Sequence, residues 1–170
     1  MSSSPSLEDL YDDHAQALFA FLLNFLRHAS DAKDVLQELF IKIARKPDLL
    51  GGVRDHRAFL LRLAHNLAID LMRRRESRER VYDRLGAEPL ELFAQEVEPD
   101  EAEFRMKMAE ALGELPAEQR AVIYLRVWEG LTFDVIAELL GVPLNTAASR
   151  YRYGIDKLRE RLRPLIDEMK

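Results

Sequence analysis

The chain has 170 residues, 48 % of them apolar, with no cysteine and a formal net charge of −5. That length holds one ordinary domain or two small ones with packed cores, and the lack of cysteine excludes disulfides and thiolate metal sites. The longest apolar stretch, Ala17 to Leu26, is broken by Asn24 and too short to span a bilayer; MSSSPSLEDL lacks the basic and apolar regions of a signal peptide, so a soluble cytoplasmic protein is expected.

In the first part of the chain, Leu10, Ala17, Leu18, Phe21, Leu22 and Phe25 follow helical spacing and predict a first helix. Ser30 or Asp31 is suited to cap a second, where Val35, Leu36, Leu39, Phe40 and Ile43 form an apolar stripe. Pro47 and Gly51-Gly52 end it in a loop. Its exposed side carries Asp34, Gln37, Glu38 and Lys42, a mixed-charge face that is usually only solvated and alternatively a docking surface for another protein's helices. A third helix buries Leu60, Leu63, Leu67 and Leu71 and carries Arg62, His65, Asn66, Asp70 and Arg73 on its other face. Phe59, Arg62, Asn66, Asp70 and Arg73 lie on one side at steps of three or four. A ring that stacks, a guanidinium that holds phosphate and an amide that reads an unpaired base edge suit single-stranded DNA; the competing reading puts Phe59 in the core. Arg73, Arg74 and Arg75 close this part. They suit duplex phosphates and equally the cation-rich C-terminus of a helix.

The acidity of the chain is local. Residues 1–75, 76–104 and 105–170 carry net charges of +1, −7 and +1, so both flanking blocks can present a basic face to nucleic acid. From Glu76 to Glu103 apolar periodicity weakens and Gly86, Pro89 and Pro99 punctuate the chain. This block is expected to be a flexible acidic linker, kept extended by like charges, with Leu90 to Phe93 as a short amphipathic piece.

The last block predicts four helices. One covers about Glu103 to Leu112, a second follows Pro116, a third starts after a Thr132 N-cap, and Asn145 or Thr146 caps the fourth. The stretch LTFDVIAELLGVPLNTAASRYRYGIDKLRERL, residues 131–162, reads as a short helix, a Gly-Val-Pro turn and a longer helix. Ala137 lies four residues before Gly141 and Ala147 six after it, an order of small residues that lets two helices cross closely, as a helix-turn-helix requires. In the longer helix Ala147, Tyr151, Gly154, Leu158 and Leu162 should face the core, and Gly154, at a cost of about 1 kcal/mol in helix propensity, is tolerable where another helix packs closely. The opposite side offers Asn145, Thr146, Ser149, Arg150, Arg152, Tyr153 and Lys157, hydroxyls and cations suited to phosphates and base edges in a major groove. An ordinary solvated face is the alternative.

No segment alternates as a strand does. The expected fold is all-α: a three-helix N-terminal bundle over 1–75 and a four-helix C-terminal domain with a helix-turn-helix over 105–170, joined by the linker 76–104. Catalysis is not expected. His14, His28, His56 and His65 make no HExxH or other ligand spacing, and no phosphate loop or nucleophile elbow occurs. No metal or cofactor is expected either.

Together these pieces resemble the extracytoplasmic-function sigma factors of bacterial RNA polymerase, over about Leu7 to Leu162. DAKDVLQELFIKIA at 31–44 looks like the family's polymerase-clamp helix, AFLLRLAHNLAIDLMRRR at 58–75 like its promoter-melting and minus-ten-reading helix, and ALGELPAEQRAVIYLRVWEGLTFDVIAELLGVPLNTAASR at 111–150 like the domain that reads the minus-thirty-five element. The resemblance implies a transcription initiation factor whose partners are core polymerase, through its clamp and flap elements, and promoter DNA, with an anti-sigma factor as a further partner in many relatives. It implies that Asp34, Gln37, Glu38 and Lys42 dock on the clamp. Phe59, Arg62, His65, Asn66 and the arginines 73–75 would meet the minus-ten region, and the loop from Gly51 to His56 would line a flipped-base pocket. The linker would thread the polymerase, and the helix from Thr146 would enter the major groove upstream. The family usually has tryptophan at Phe59, tyrosine at Leu61, arginine at His65, valine at Ala147, lysine at Ala148, and often basic residues at Tyr153, Ile155 and Asp156. These departures imply altered melting contacts, and either an atypical minus-thirty-five sequence or a packing role for that face in a resting state.

Two other readings compete. A stand-alone helix-turn-helix regulator would need a dimer seam, and the second helix offers a polar face instead. A sigma-like adaptor or decoy would act through protein contacts alone. No appended regulatory domain is expected beyond Lys170.

Overall fold

The computed structural model describes residues 4–76 and 99–170, among which there are seven α-helices, one 3-10 turn and no strand. The chain divides into two compact units, Met1–Ala87 and Glu88–Lys170. Residues 77–98, which hold most of the expected linker and the Leu90 to Phe93 piece, lie outside the described residues.

The first unit is a bundle of α1 (Leu7–Leu26), α2 (Ala29–Arg45) and α3 (His56–Glu76), with a 3-10 turn at Pro47–Leu50. Ser6 starts α1 with a capping box. Its hydroxyl accepts from the Asp9 N–H, and the Asp9 carboxylate accepts from the Ser6 N–H, each at 3.1 Å. Hydrogen bonding to the Asp9 carboxylate from the Ser6 side chain, and then from the Ser6 N–H, holds the Asp9 carboxyl below its usual range. The predicted stripe is only part of what α1 buries, because Phe21 to Phe25 are all buried, Asn24 included. A helix enclosed in this way is packed by neighbours on more than one side, and α1 contacts both α2 and α3. Arg27 ends α1 in the left-handed conformation, φ 61°, closing the last turn as glycine does elsewhere.

The second helix begins differently from expectation. His28 is its N-cap and makes no side-chain cap bond, while Ser30 and Asp31 lie inside the first turn. Asp31 is drawn away from capping by a partner 44 residues distant, Arg75, on which both of its carboxylate oxygens are paired. Asp55 caps α3, its carboxylate accepting from the Ala58 N–H at 3.0 Å.

The second unit holds α4 (Pro99–Gly113), α5 (Ala117–Val127), α6 (Phe133–Leu140) and α7 (Leu144–Glu168). Helix α4 therefore takes in residues 99–104, which the linker expectation had included. Glu101 brings negative charge to its first turn. Thr132 caps α6, its hydroxyl accepting from the Val135 N–H at 3.3 Å. Gly141 ends α6 at φ 68°, with the Val142 N–H donating to the Ala137 carbonyl at 3.0 Å. This left-handed closure makes the turn. Pro143, not Asn145 or Thr146, is the N-cap of α7, because its extended backbone precedes a helix that starts at Leu144. Asn145 and Thr146 thus occupy the first turn.

Ala109, Leu112, Leu115, Ile123, Leu158 and Leu162 form the core of this unit. Arg120 is buried beside it and donates to the Leu115 carbonyl. Gly154 is buried where α5 crosses α7, and a Cβ there would lie 2.6 Å from Ile123 Cδ1. Gly154→Ala must displace that methyl, the far end of a flexible side chain, so its packing cost is expected roughly to cancel the gain of about 1 kcal/mol in helix propensity. In an Ile123→Val background, where the offending methyl is gone, the same substitution should stabilise. A chemical-denaturation cycle over the four proteins measures this coupling, and additive effects would refute the contact.

Candidate nucleic-acid interface

In the first unit, α3 presents Arg62, Asn66, Asp70 and Arg73 as exposed residues at steps of four, four and three, one row along the helix. Phe59 is half-buried at the head of the row. The Arg62 guanidinium lies over its ring, 5.7 Å from the centroid, so the expected ring and cation do come together. His65 does not join them. Its ring is half-buried and packs edge-on against Phe25 at 5.3 Å, on the core side of the row. Leu61, where the resembling family has tyrosine, is buried.

The three arginines at the end of α3 diverge. Arg73 and Arg74 are exposed, with the Arg74 Nε donating to the Asp70 carbonyl at 3.4 Å. Arg75 is paired with Asp31. In the preceding loop Gly51, Gly52, Arg54 and Asp55 are exposed. The Asp55 carboxylate is occupied in capping α3.

Asp34, Gln37, Glu38 and Lys42 all lie on the exposed side of α2. Sequence reasoning missed the residue at their centre. Ile41 is 49 % exposed, a large aliphatic side chain one turn beyond Gln37 and Glu38. The signal was present as an apolar residue outside the Val35, Leu39, Phe40, Ile43 stripe.

In the second unit, α6 and α7 meet at the glycine turn, with Ala137 and Ala147 both buried at the crossing. At the start of α7, Asn145 is exposed and Thr146, Ser149 and Arg150 are half-buried. The Thr146 N–H donates to the Pro143 carbonyl at 3.0 Å, while the N–H groups of Leu144 and Asn145 precede any intrahelical acceptor, which makes this end favourable to anions. One turn on, the Arg152 guanidinium lies over the Tyr153 ring at 5.3 Å, and Tyr153 is 55 % exposed. Lys157 is separate from this group. It borders a cleft of about 350 Å³ shared with Ala111, Glu114, Leu115, Glu160 and Arg161, where Arg161 pairs with Glu114. Ile155, where the resembling family often has a basic residue, packs half-buried against the unit's own core. Behind the turn, Arg126 braces the approach to α6. It donates to the Leu131 carbonyl at 2.9 Å and lies 4.9 Å from the centroid of Phe133, whose ring meets Tyr151 edge-on.

No helix among the described residues is long and apolar enough to cross a membrane. Among them, no group of His, Asp and Glu is placed to hold a metal ion.

Two family models match the chain: sigma-70 region 2 over residues 10–78 and sigma-70 region 4 over residues 105–158. The chain is 34 % identical over 160 residues to the ECF RNA polymerase sigma factor SigL of Mycobacterium tuberculosis, covering 92 % of this chain and 88 % of that one. It is 26 % identical to the ECF sigma factor SigX of Bacillus subtilis, covering 94 % and 85 %. The ferric citrate uptake sigma factor FecI of Escherichia coli is 30 % identical, covering 85 % and 84 %. Among solved structures, the sigma factor RpoE of Bartonella quintana, in complex with the anti-sigma factor NepR, shares the fold with a TM-score of 0.73 at 22 % identity, covering 92 % of this chain and 96 % of that one.

Proposed function

The chain belongs to the ECF sigma factors of RNA polymerase, and from that premise we propose how its two units divide promoter selection between them. It directs core polymerase to specific promoters, with core polymerase and promoter DNA as its partners. The observation that carries this conclusion is the presence, in one chain and in this order, of sigma-70 region 2 and region 4.

In the proposed arrangement the exposed side of α2 docks on the polymerase clamp through Asp34, Gln37, Glu38, Ile41 and Lys42. The α3 row then meets the minus-ten element. Phe59, backed by Arg62, offers a stacking surface to an unpaired base, Asn66 an amide for its edge, and Arg73 a cation for the backbone. The second unit inserts the start of α7 into the upstream major groove. There Thr146 and Ser149 serve phosphate, and Arg150 is the side chain with the fork geometry to read guanine. Tyr153, shielded by Arg152, adds apolar contact of the kind a thymine methyl accepts. Polymerase performs the chemistry, and this chain supplies recognition and strand separation. The cytoplasm, where polymerase works, is the proposed location, and an anti-sigma factor stays among the proposed partners.

Run-off transcription with core polymerase on a genomic promoter library tests the reading. Asn66→Ala and Arg150→Ala are each expected to lower promoter-specific initiation by about 1–3 kcal/mol, roughly fivefold to 150-fold. Failure of the wild-type protein to bind core polymerase at low salt would overturn it. Initiation unchanged in both variants would favour an adaptor that acts through protein contacts.

A further inference from the structure

Along α3, Ala64, Ala68, Leu71 and Arg75 follow one another at steps of four, three and four, so Arg75 continues the buried side of the helix and not the exposed row. Its Nη1 and Nη2 donate to Oδ2 and Oδ1 of Asp31 respectively, a two-pronged pair between the last turn of α3 and the first turn of α2. The Asp31 side chain is only 6 % exposed and that of Arg75 is 43 % exposed. A carboxylate this deep is tolerated because a guanidinium fork satisfies both oxygens at once, a geometry that lysine does not reproduce. Arg73 and Arg74, two and one residues earlier, project on other sides and are exposed.

We propose that Arg75 is a positioning residue and not a DNA contact: it straps the end of α3 to α2 and fixes where Arg73 and Arg74 present their charges. The run of three arginines thus delivers two cations to promoter phosphate. Asp31 lies one turn before Asp34 on α2, so the same strap ties the proposed polymerase-docking helix to the proposed DNA helix. The inference rests on the promoter-binding reading for its readout.

Each phosphate neutralised contributes about 0.9 to the slope of log affinity against log salt. The test measures that slope for promoter DNA and holoenzyme assembled with wild-type protein, Arg73→Ala, Arg74→Ala, Arg75→Ala, Arg75→Lys and Asp31→Ala. Arg73→Ala and Arg74→Ala should each flatten the slope by about 0.9. Arg75→Ala and Asp31→Ala should weaken binding at every salt concentration with the wild-type slope, and together be no worse than either alone. Arg75→Lys should share the weakened binding and the lowered melting temperature of Arg75→Ala, since it keeps the charge and loses the fork. Should Arg75→Ala prove unfolded at the assay temperature, Asp31→Asn combined with Arg75→Ala leaves no buried charge unpaired and carries the slope measurement. A slope flattened by loss of Arg75, with Arg75→Lys behaving as wild type, would overturn the proposal while leaving the promoter reading intact. If none of the three arginines moves the slope, the promoter reading of this end of α3 fails and the proposal falls with it.

Discussion

Ile41→Asp is expected to weaken association with core polymerase by at least about 3 kcal/mol, more than a hundredfold, while leaving the first unit folded. Ile41 is 49 % exposed, so its own bundle already buries about half of it. Covering the rest in an interface contributes on the order of 1 kcal/mol, half of the transfer value for a whole isoleucine. Aspartate forfeits that and leaves an unpaired carboxylate against the partner, which costs a further ~2 kcal/mol or more. Helix propensity changes by only a few tenths of a kcal/mol between the two residues. A binding titration with core polymerase, run beside a thermal melt of the free protein, checks both halves. Ile41→Ala supplies the graded control, with a loss of about fivefold, the same 1 kcal/mol of area. Unchanged affinity in Ile41→Asp would remove α2 from the polymerase interface.

The second large effect concerns the upstream reader. Leu112→Ala removes a side chain that is 1 % exposed at the centre of the second unit's core, among Ala109, Leu115, Ile123, Leu158 and Leu162. Such truncations cost about 2–5 kcal/mol, a large share of what a small helical unit has in total. The expected result is a melting temperature lower by on the order of 15 °C, with faster hydrogen exchange in α4 to α7. Transcription from promoters that depend on an upstream element should fail first on warming. Exchange in α1 to α3 should stay at the wild-type rate, and acceleration there would contradict a separate core for each unit.

The helices were legible because each carries a local signal. Thr132 before an apolar run, Gly141 after it and proline at 116 punctuate the chain at separations of a few residues, and the structure places elements accordingly. What escaped was decided at longer range or by competition between near-equivalent local choices. Asp31 has the chemistry of a cap, yet a guanidinium 44 residues away binds it more strongly than an end-of-helix N–H does. His65 sits beside the proposed DNA row in sequence, but its ring packs against Phe25 of another helix. Ile155, where the resembling family often has a basic residue, is packed by a core with members on α4, α5 and α7. The start of α7 turned on a single residue, since Pro143 and Asn145 both suit a helix boundary and the extended conformation of Pro143 prevailed. Sequence therefore located the helices well and the partners of individual charges poorly, because spacing along a helix is local and charge pairing is not.

The close approach at Gly154 has a consequence for how this reading head is set. A helix laid in a groove must be held at one rotation and one depth, and the contact with Ile123 acts as an indexing notch for both. A large side chain at 154 would press α7 away from α5, carrying Ser149, Arg150 and Tyr153 with it, whereas alanine displaces only the flexible end of Ile123. On the proposed reading of α7, promoter choice is thus tunable at two separable places. Changes along the exposed face rewrite which bases are read, and changes at the notch shift the whole reading frame of the groove. Redesign of its specificity should keep the notch closed and work from the face.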